Sequence, residues 1–461
     1  MPRWIPSGSR EESALLEELG VPSTEALFVD IPKKLRVGRM GVGPAHDEPE
    51  VVAAVDKILD RNRPLSRFAS FIGGRIGVRY APAAVDALLS RSEFYTSYTP
   101  YQPEASQGML QSLFEFQSLW VELTGMDVAN ASLYDGATAI GEAALLCKRL
   151  HAGDRFLIPA SLPWEEKSVL SNYLAGSRSR LTEIPFEPRT GRLDLAAIRA
   201  EVSRGDVFGL LADVPNGFGV VDEGLLELKG ILGDIPLAVS ADPLALAVLE
   251  PPGSWGADVV VGEGQPFGIP PAGGGPLLGL FACRREHARL APGRIVGMTR
   301  DTNGRRAFAL TLQTREQHIR RSRATSNICT NESLLALAFV AYATFVGPRG
   351  LAELQRSLAE RARTLATALG AVEGLQAPRF DAPYLGEFTV GLERGTVSDF
   401  LERLLRKRVL GGVPLADPRP RQPPSPGEWF LTSVHELTSE KDIQKFARAA
   451  RTSLPRGGTA P

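Results

Sequence analysis

Residues 255–276 read WGADVVVGEGQPFGIPPAGGGP, and their pattern decides the fold. Val259, Val260 and Val261 continue an apolar run of the kind that strands buried on both faces carry. Gly262 and Gly264 then punctuate a turn, Gly273, Gly274 and Gly275 form a loop, and a second apolar strand runs from Leu277 to Cys283. A polar tip between two apolar strands is where an α/β enzyme presents its chemistry. The residue at this tip is Gln265.

Upstream, the chain alternates between strand and helix patterns. Strands are predicted at Arg155–Pro159, Leu181–Ile184, Val207–Val214 and Pro236–Val239, with helices at Trp164–Leu174, Asp194–Val202 and Gly224–Leu232. That alternation predicts an α/β class with a mixed, mostly parallel sheet covered on both faces. Before it, Leu110, Leu113, Phe114, Leu119 and Trp120 give an amphipathic helix over Ser106–Gly125. Asp135 is a natural N-cap for a helix reaching about Leu150. A helix start can hold an anion, but the Asp135 charge repels a phosphate, which favours structural capping.

Residues 285–330 are rich in arginine, and Gln313–Arg323 reads as a charged helix whose arginines form a solvated face, the commoner case, or else cluster on a subunit interface or an anionic substrate. The apolar helix Glu332–Val346 is followed by Gly347-Pro348-Arg349-Gly350 and the helix Leu351–Leu369. Beyond it a smaller α+β unit is expected, with strands Phe388–Leu392 and Trp429–Val434 and helices Val397–Arg408 and Lys441–Ala450. The expected organisation is an N-terminal helical arm (1–65), a large α/β domain (66–346), a C-terminal small α+β domain (347–454) and a disordered tail (455–461). Ser9 can cap the first arm helix, whose stripe is Leu15, Leu16 and Leu19. An arm with so little core must pack on the main domain or on another subunit.

Composition narrows the function. A 461-residue chain with 43% apolar and 23% charged residues is ordinary globular material, and a net charge of −1 offers nothing to nucleic acid or an anionic membrane. Cys147, Cys283 and Cys329 lack CxxC spacing, so neither a disulfide framework nor a metal site is expected, and each reads as a small buried apolar residue. No signal peptide and no run of membrane-span length is read, so a cytoplasmic location is the expectation. His46, His151, His287, His318 and His435 accompany no G-x-S-x-G motif, and no Walker A or dinucleotide fingerprint occurs.

Two constellations remain. Residues 92–104 (SEFYTSYTPYQPE) crowd Tyr95, Tyr98 and Tyr101 with Thr99, Gln102 and two prolines into a loop. Rings with hydroxyl handles suit a contact or site loop, or a packed loop whose hydroxyls satisfy its own backbone. The second is a layout: a strand ends at Asp242, and the next runs into the Gln265 loop. In fold-type-I pyridoxal-phosphate enzymes an Asp at the first position pairs with the pyridine nitrogen and a Lys at the second carries the coenzyme. No lysine lies between Lys229 and Lys407.

Four segments resemble the first subunit of the two-subunit P-protein of the glycine cleavage system. They are Ser92–Gly108 (SEFYTSYTPYQPEASQG), Leu123–Thr138 (LTGMDVANASLYDGAT), Ala257–Pro266 (ADVVVGEGQP) and Ala324–Asn331 (ATSNICTN). Phe71–Tyr80 (FIGGRIGVRY) matches the family loop more loosely. The resemblance implies a fold-type-I, PLP-dependent transferase-like large domain. It also implies a homologous second subunit carrying pyridoxal phosphate on a lysine in an N-L-H-K-T-F loop, with Gln265 at that lysine's place. Asp135, Asp242 and Gln265 would then line a vestigial coenzyme pocket. The implied reaction decarboxylates glycine and passes the aminomethyl group to the lipoyl arm of H-protein. This chain would complete the partner's active site through Tyr95, Tyr98, Thr99, Tyr101 and Gln102. A purely structural subunit is the alternative, and an independent protein holding another anion on the Gly273-Gly274-Gly275 loop is a third reading.

Overall fold

The computed structural model describes residues 9–38, 41, 43–95, 98–415 and 428–455. The Ser9 side chain, the N-terminal residues 1–8, the proline-rich stretch 418–426 and the tail beyond 455 lie outside the described residues. The chain divides into two compact units, 1–63 and 64–461.

In the first unit, helices Ser9–Leu19 and Glu48–Leu59 flank short 3-10 turns. Asp47 caps the second helix by accepting from the Glu50 N–H, as its position before Glu48-Pro49 favours. No described residue between 10 and 63 is buried.

The second unit is built on a seven-stranded sheet. Its strands are β1 (Val128–Ala129), β2 (Arg155–Pro159), β3 (Arg180–Ile184), β4 (Val207–Val214), β5 (Leu237–Ala241), β6 (Val259–Glu263) and β7 (Gly279–Cys283), in spatial order β1-β7-β6-β5-β4-β2-β3. The five strands from β6 to β3 are parallel, whereas β7 and β1 run antiparallel to their neighbours. Every residue of β4 is buried, which is why it reads as an unbroken apolar run. Helix α1 (Gln107–Thr124) buries Leu110, Leu113 and Trp120, and α2 (Gly136–Leu150) buries Ala139, Ile140, Ala143 and Ala144.

Helix α3 (Ser333–Gly370) spans both predicted helices, with a break at Gly347 (φ 70, ψ 167) just before Pro348. An 18-residue window in it has mean hydropathy 1.5, enough by length and composition for a membrane span, contrary to the sequence reading that no run approaches one. Half of that window is buried, and Phe339 stacks on Phe267 at 4.4 Å, as a core helix does.

The C-terminal part carries a four-stranded antiparallel sheet of Leu375–Gln376, Glu387–Leu392, Trp429–Ser433 and Val413–Pro414. Residues 69–71, grouped by sequence with the large domain, join this part: Ala69 and Ser70 pair with Val409 and Leu410, and the Ser433 N–H donates to the Phe71 carbonyl. The arginine-rich region also departs from expectation. It holds an antiparallel hairpin, Ile295–Arg300 with Arg306–Thr311, whose Phe308 packs on Phe114 of α1. The predicted charged helix is broken into short turns, with Arg321 at φ 54. Cys147 and Cys283 are buried as expected, but Cys329 is exposed in the polar loop before α3.

Candidate functional site: a sealed pocket and an open loop

The C-terminal ends of the parallel strands are where an open α/β sheet places ligands, and β4, β5 and β6 deliver Asp213, Asp242 and Gln265 there. The cavity at this edge measures only about 30 Å³, against roughly 300–1,000 Å³ for an ordinary small-molecule site. Protein fills the rest. The loop Phe71–Tyr80 enters and lines the cavity from Ile72 to Arg79.

Gln265, Glu263, Asp135 and Asp242 are all bonded within the chain. Gln265, fully buried, donates from Nε2 to the Gly77 carbonyl (3.1 Å) and accepts the Gly77 N–H at Oε1 (3.1 Å), like one rung of a β-ladder. Its Nε2 also donates to the Ile269 carbonyl (2.6 Å). Glu263 takes the place an anion would have at the start of α2. Its Oε2 accepts the Gly136 N–H (2.9 Å), and its Oε1 accepts from Gln265 N (2.9 Å) and Leu278 N (3.1 Å). A Cβ at position 136 would stand 3.1 Å from the Glu263 Cβ, so glycine permits this approach. Asp135 caps the same helix through the Thr138 N–H (2.7 Å) in a capping box, as its sequence position predicts. Asp242 lines the cavity and accepts the Leu244 N–H (2.8 Å).

The centre of the plug is Arg75, held at φ 77 in a region costly to any residue with a side chain. Its Nη2 is bonded to Asp213, its Nε donates to Glu166 (3.1 Å), and the adjacent Gly74 N–H donates to Glu387 (3.1 Å). Burial pushes the Asp213 carboxyl up to about 7 against the pull of Arg75, while its carboxylate neighbours hold the Arg75 guanidinium cationic. Glu263 is raised to about 7 for the same reason, its three N–H donors only partly opposing the loss of water. Gly73 packs so tightly that a Cβ there would meet the Ser433 Cβ at 2.4 Å.

Pyridoxal phosphate therefore does not fit this edge. No amine is among the described residues lining the cavity, the Glu263 carboxylate already holds the helix start, and Arg75 and its loop leave only about 30 Å³. Of Asp135, Asp242 and Gln265, expected to line a coenzyme pocket, Asp242 lines this cavity, whereas Gln265 is bonded to Gly77 behind it and Asp135 caps the neighbouring helix, neither lining it. Sequence reasoning missed Arg75, Asp213, Glu166, Glu263 and Glu387. The available signal was an arginine set among Gly73, Gly74 and Gly77.

The tyrosine-rich loop lies elsewhere, and none of its described residues lines the cavity. Tyr95 and Tyr98 are 72% and 82% exposed, and Gln102 is exposed at the start of the 3-10 turn Pro103–Ala105. The buried Thr99 Oγ1 has no hydrogen-bond partner among the described residues. Tyr101, half exposed, accepts a hydrogen bond from Arg294 (3.1 Å). The third reading fares worse: the N–H groups of Gly274 and Gly275 both turn back to the Pro271 carbonyl (2.7 and 3.2 Å). No cluster of metal-ligating side chains occurs among the described residues.

The parallel sheet with one reversed neighbour, the Asp after β5 and the loop after β6 define a transferase scaffold of the fold-type-I class with its coenzyme position filled by protein. Comparison with known proteins narrows this. The pattern of the glycine cleavage system P-protein family matches residues 2–398. A probable glycine dehydrogenase (decarboxylating) subunit 1 of Geobacillus kaustophilus is 42% identical over 453 residues, covering 96% of this chain and 97% of that one. Its counterpart in Thermoplasma acidophilum is 40% identical, covering 95% and 98%. A crystal structure of glycine decarboxylase (P-protein) of the glycine cleavage system, in inhibitor-bound form, superposes with a TM-score of 0.87 at 34% identity, over 98% of this chain and 100% of the other. A sphingosine-1-phosphate lyase of Burkholderia pseudomallei, at 15% identity and a TM-score of 0.61 over 92% and 96% of the two chains, shares the fold alone. This chain belongs to the glycine cleavage system P-protein family, which is pyridoxal-phosphate-dependent.

Proposed function

We propose that this chain is the subunit of a heteromeric glycine decarboxylase that does not bind the coenzyme. The observation that carries the reading is Gln265, buried and bonded in both directions to Gly77 where a coenzyme lysine would stand. A homologous second subunit holds pyridoxal phosphate, which when bound supplies the electron sink for loss of carbon dioxide from glycine. Lipoylated H-protein accepts the aminomethyl group. The two subunits pair, and pairs double into a heterotetramer acting in the cytoplasm as an oxidoreductase.

This chain's own contribution is physical. Its tyrosine loop presents Tyr95, Tyr98 and Tyr101 to the partner's active site, where their rings exclude water and their hydroxyls orient the substrate; Thr99 and Gln102 complete the loop. The exposure of these phenols supports the role, because a loop with no ligand or partner seldom leaves three tyrosine rings in solvent. Exposed apolar residues on the arm, including Val51, Val55 and Ile58, equally support a subunit that only braces its partner.

Kinetics of the co-purified heteromer separate the two. Tyr95→Phe or Tyr101→Phe is expected to lower kcat roughly tenfold, the worth of one hydrogen bond made in the transition state, with assembly intact. Unchanged turnover in both variants leaves the purely structural subunit.

A further inference from the structure

Arg294 precedes the hairpin strand Ile295–Arg300, and it is 3% exposed. Its surroundings are unusual for a buried cation. Nη2 donates to Tyr101 Oη (3.1 Å), and Nη1 donates to Asn331 Oδ1 (3.1 Å) and Thr330 Oγ1 (3.3 Å). Nε makes no hydrogen bond among the described residues, and its carboxylate neighbour, Glu316, is 4.0 Å away. Arg315, also buried and close by in sequence to Glu316, shows the ordinary alternative. It spends its donors on the backbone carbonyls of Ala291, Gly293 and Leu312, as a loop staple does.

The donors of Arg294 go instead to side chains of two loops, 92–104 and 324–331. Its own backbone is fixed, since the Ala131 N–H donates to the Arg294 carbonyl (2.7 Å). Asn331 Nδ2 in turn donates to the Ala131 carbonyl (2.9 Å), closing a ring of contacts. The guanidinium also lies 5.3 Å from the centre of the Tyr101 ring, and His318 meets that ring edge-on at 6.3 Å. Because the phenol oxygen accepts from Arg294, the phenol hydrogen is left to donate to something else. Among the described residues no acceptor takes that hydrogen, so it is free for a group outside this chain.

We infer that Arg294 is a positioning residue that fixes Tyr101 so that its O–H is presented as a donor to the reacting centre of the partner subunit. The inference rests on the role proposed above for the tyrosine loop. A planar fork with two fixed directions is what the geometry uses, and a lysine ammonium cannot reproduce it.

The test is a double-mutant cycle on the co-purified heteromer, reading kcat and KM for glycine. Arg294→Lys and Tyr101→Phe are each expected to lower kcat about tenfold with KM little changed, and the double variant is expected to fall no further than the worse single. Additive losses, or an Arg294→Lys enzyme with full turnover, overturn the positioning role while leaving the tyrosine loop's contribution standing. Full turnover in Tyr101→Phe overturns this inference. If it occurs in Tyr95→Phe as well, the reading beneath it falls too. Should Arg294→Lys fail to assemble, Thr330→Val replaces it. This milder change removes one acceptor of the same fork, and its effect must likewise vanish in the Tyr101→Phe background.

Discussion

Two loops of one chain have been treated in opposite ways. The 71–80 loop is driven into the sheet edge, where Arg75, Gly74 and Gly77 bond to one oxygen each of three carboxylates and to one amide, and only about 30 Å³ remains. The 92–104 loop stays outside, with Tyr95 and Tyr98 in solvent and the Thr99 hydroxyl unpartnered among the described residues. The contrast teaches that closing a sheet edge of this kind takes more than the absence of a lysine. A scaffold built to bind an anion beside a buried carboxylate retains costly polar groups, and these must be paired from within. The tyrosine loop is under no such pressure: Tyr95 and Tyr98 stay in solvent, and of its three phenols only Tyr101 is bonded within the chain among the described residues.

The harshest way to break this contrast is Arg75→Met. It strips the cation from Asp213, Glu166 and Glu387, and removing one partner from a buried ionic group costs about 3–5 kcal/mol. Denaturant unfolding should show a loss of that size, with turnover per folded enzyme unchanged. A variant as stable as the parent would mean the plug is not held by charge.

Acidity sharpens the contrast next. Glu263 rises from an ordinary 4.5 to about 7, so its folded form holds a proton that the unfolded chain releases. The stability this gives is complete below about 4.5 and is lost as pH climbs through about 7, on the order of 3 kcal/mol across that window. Asp213, also raised to about 7, acts in the same direction. Glu263→Gln should flatten the fall in melting temperature between pH 5 and pH 8. An equally steep curve in the variant would place the titration elsewhere.

A smaller effect is expected from restoring the lysine. In Gln265→Lys the new amine can reach the Gly77 and Ile269 carbonyls but leaves the Gly77 N–H unpaired, a loss of about 1–3 kcal/mol. Mixing that variant with pyridoxal phosphate should produce no new absorbance band, because Glu263 and Arg75 still fill the space. A band would show that the pocket was closed by the missing amine alone. Tyr101→Phe should cost a similar amount, about 1–3 kcal/mol, since it leaves Nη2 of the buried Arg294 without its acceptor; a variant as stable as the parent would show that the phenol contact carries no weight in the fold.

Much of the scaffold was readable from pattern. Continuous apolar runs at 207–214 and 259–261 became central parallel strands, and Asp135 became the cap its position suggests, because periodicity and local capping do not depend on distant contacts. The hairpin at 295–311 was hidden by its charged outer face: Arg300, Arg305 and Arg306 masked the inward-facing Phe308 and Leu310. Gln265 and Asp135 stand beside the cavity without lining it, and of the pocket lining Asp242, read with them, was legible from spacing. The plug was not, since Arg75 meets Glu166 and Asp213 across 91 and 138 residues of chain. Nothing local in FIGGRIGVRY says where that loop will be inserted. The tyrosine loop was legible as a feature but not in its setting, because Arg294 reaches it across 193 residues.

The first 63 residues carry a cellular consequence. With no described residue buried between 10 and 63, and Leu15, Phe28, Val51, Val55 and Ile58 all exposed, this unit encloses no core of its own, and a copy made without whatever covers those side chains leaves them open to water. Chaperones and proteases act on such surfaces. The abundance of one polypeptide would then be metered by the supply of the other.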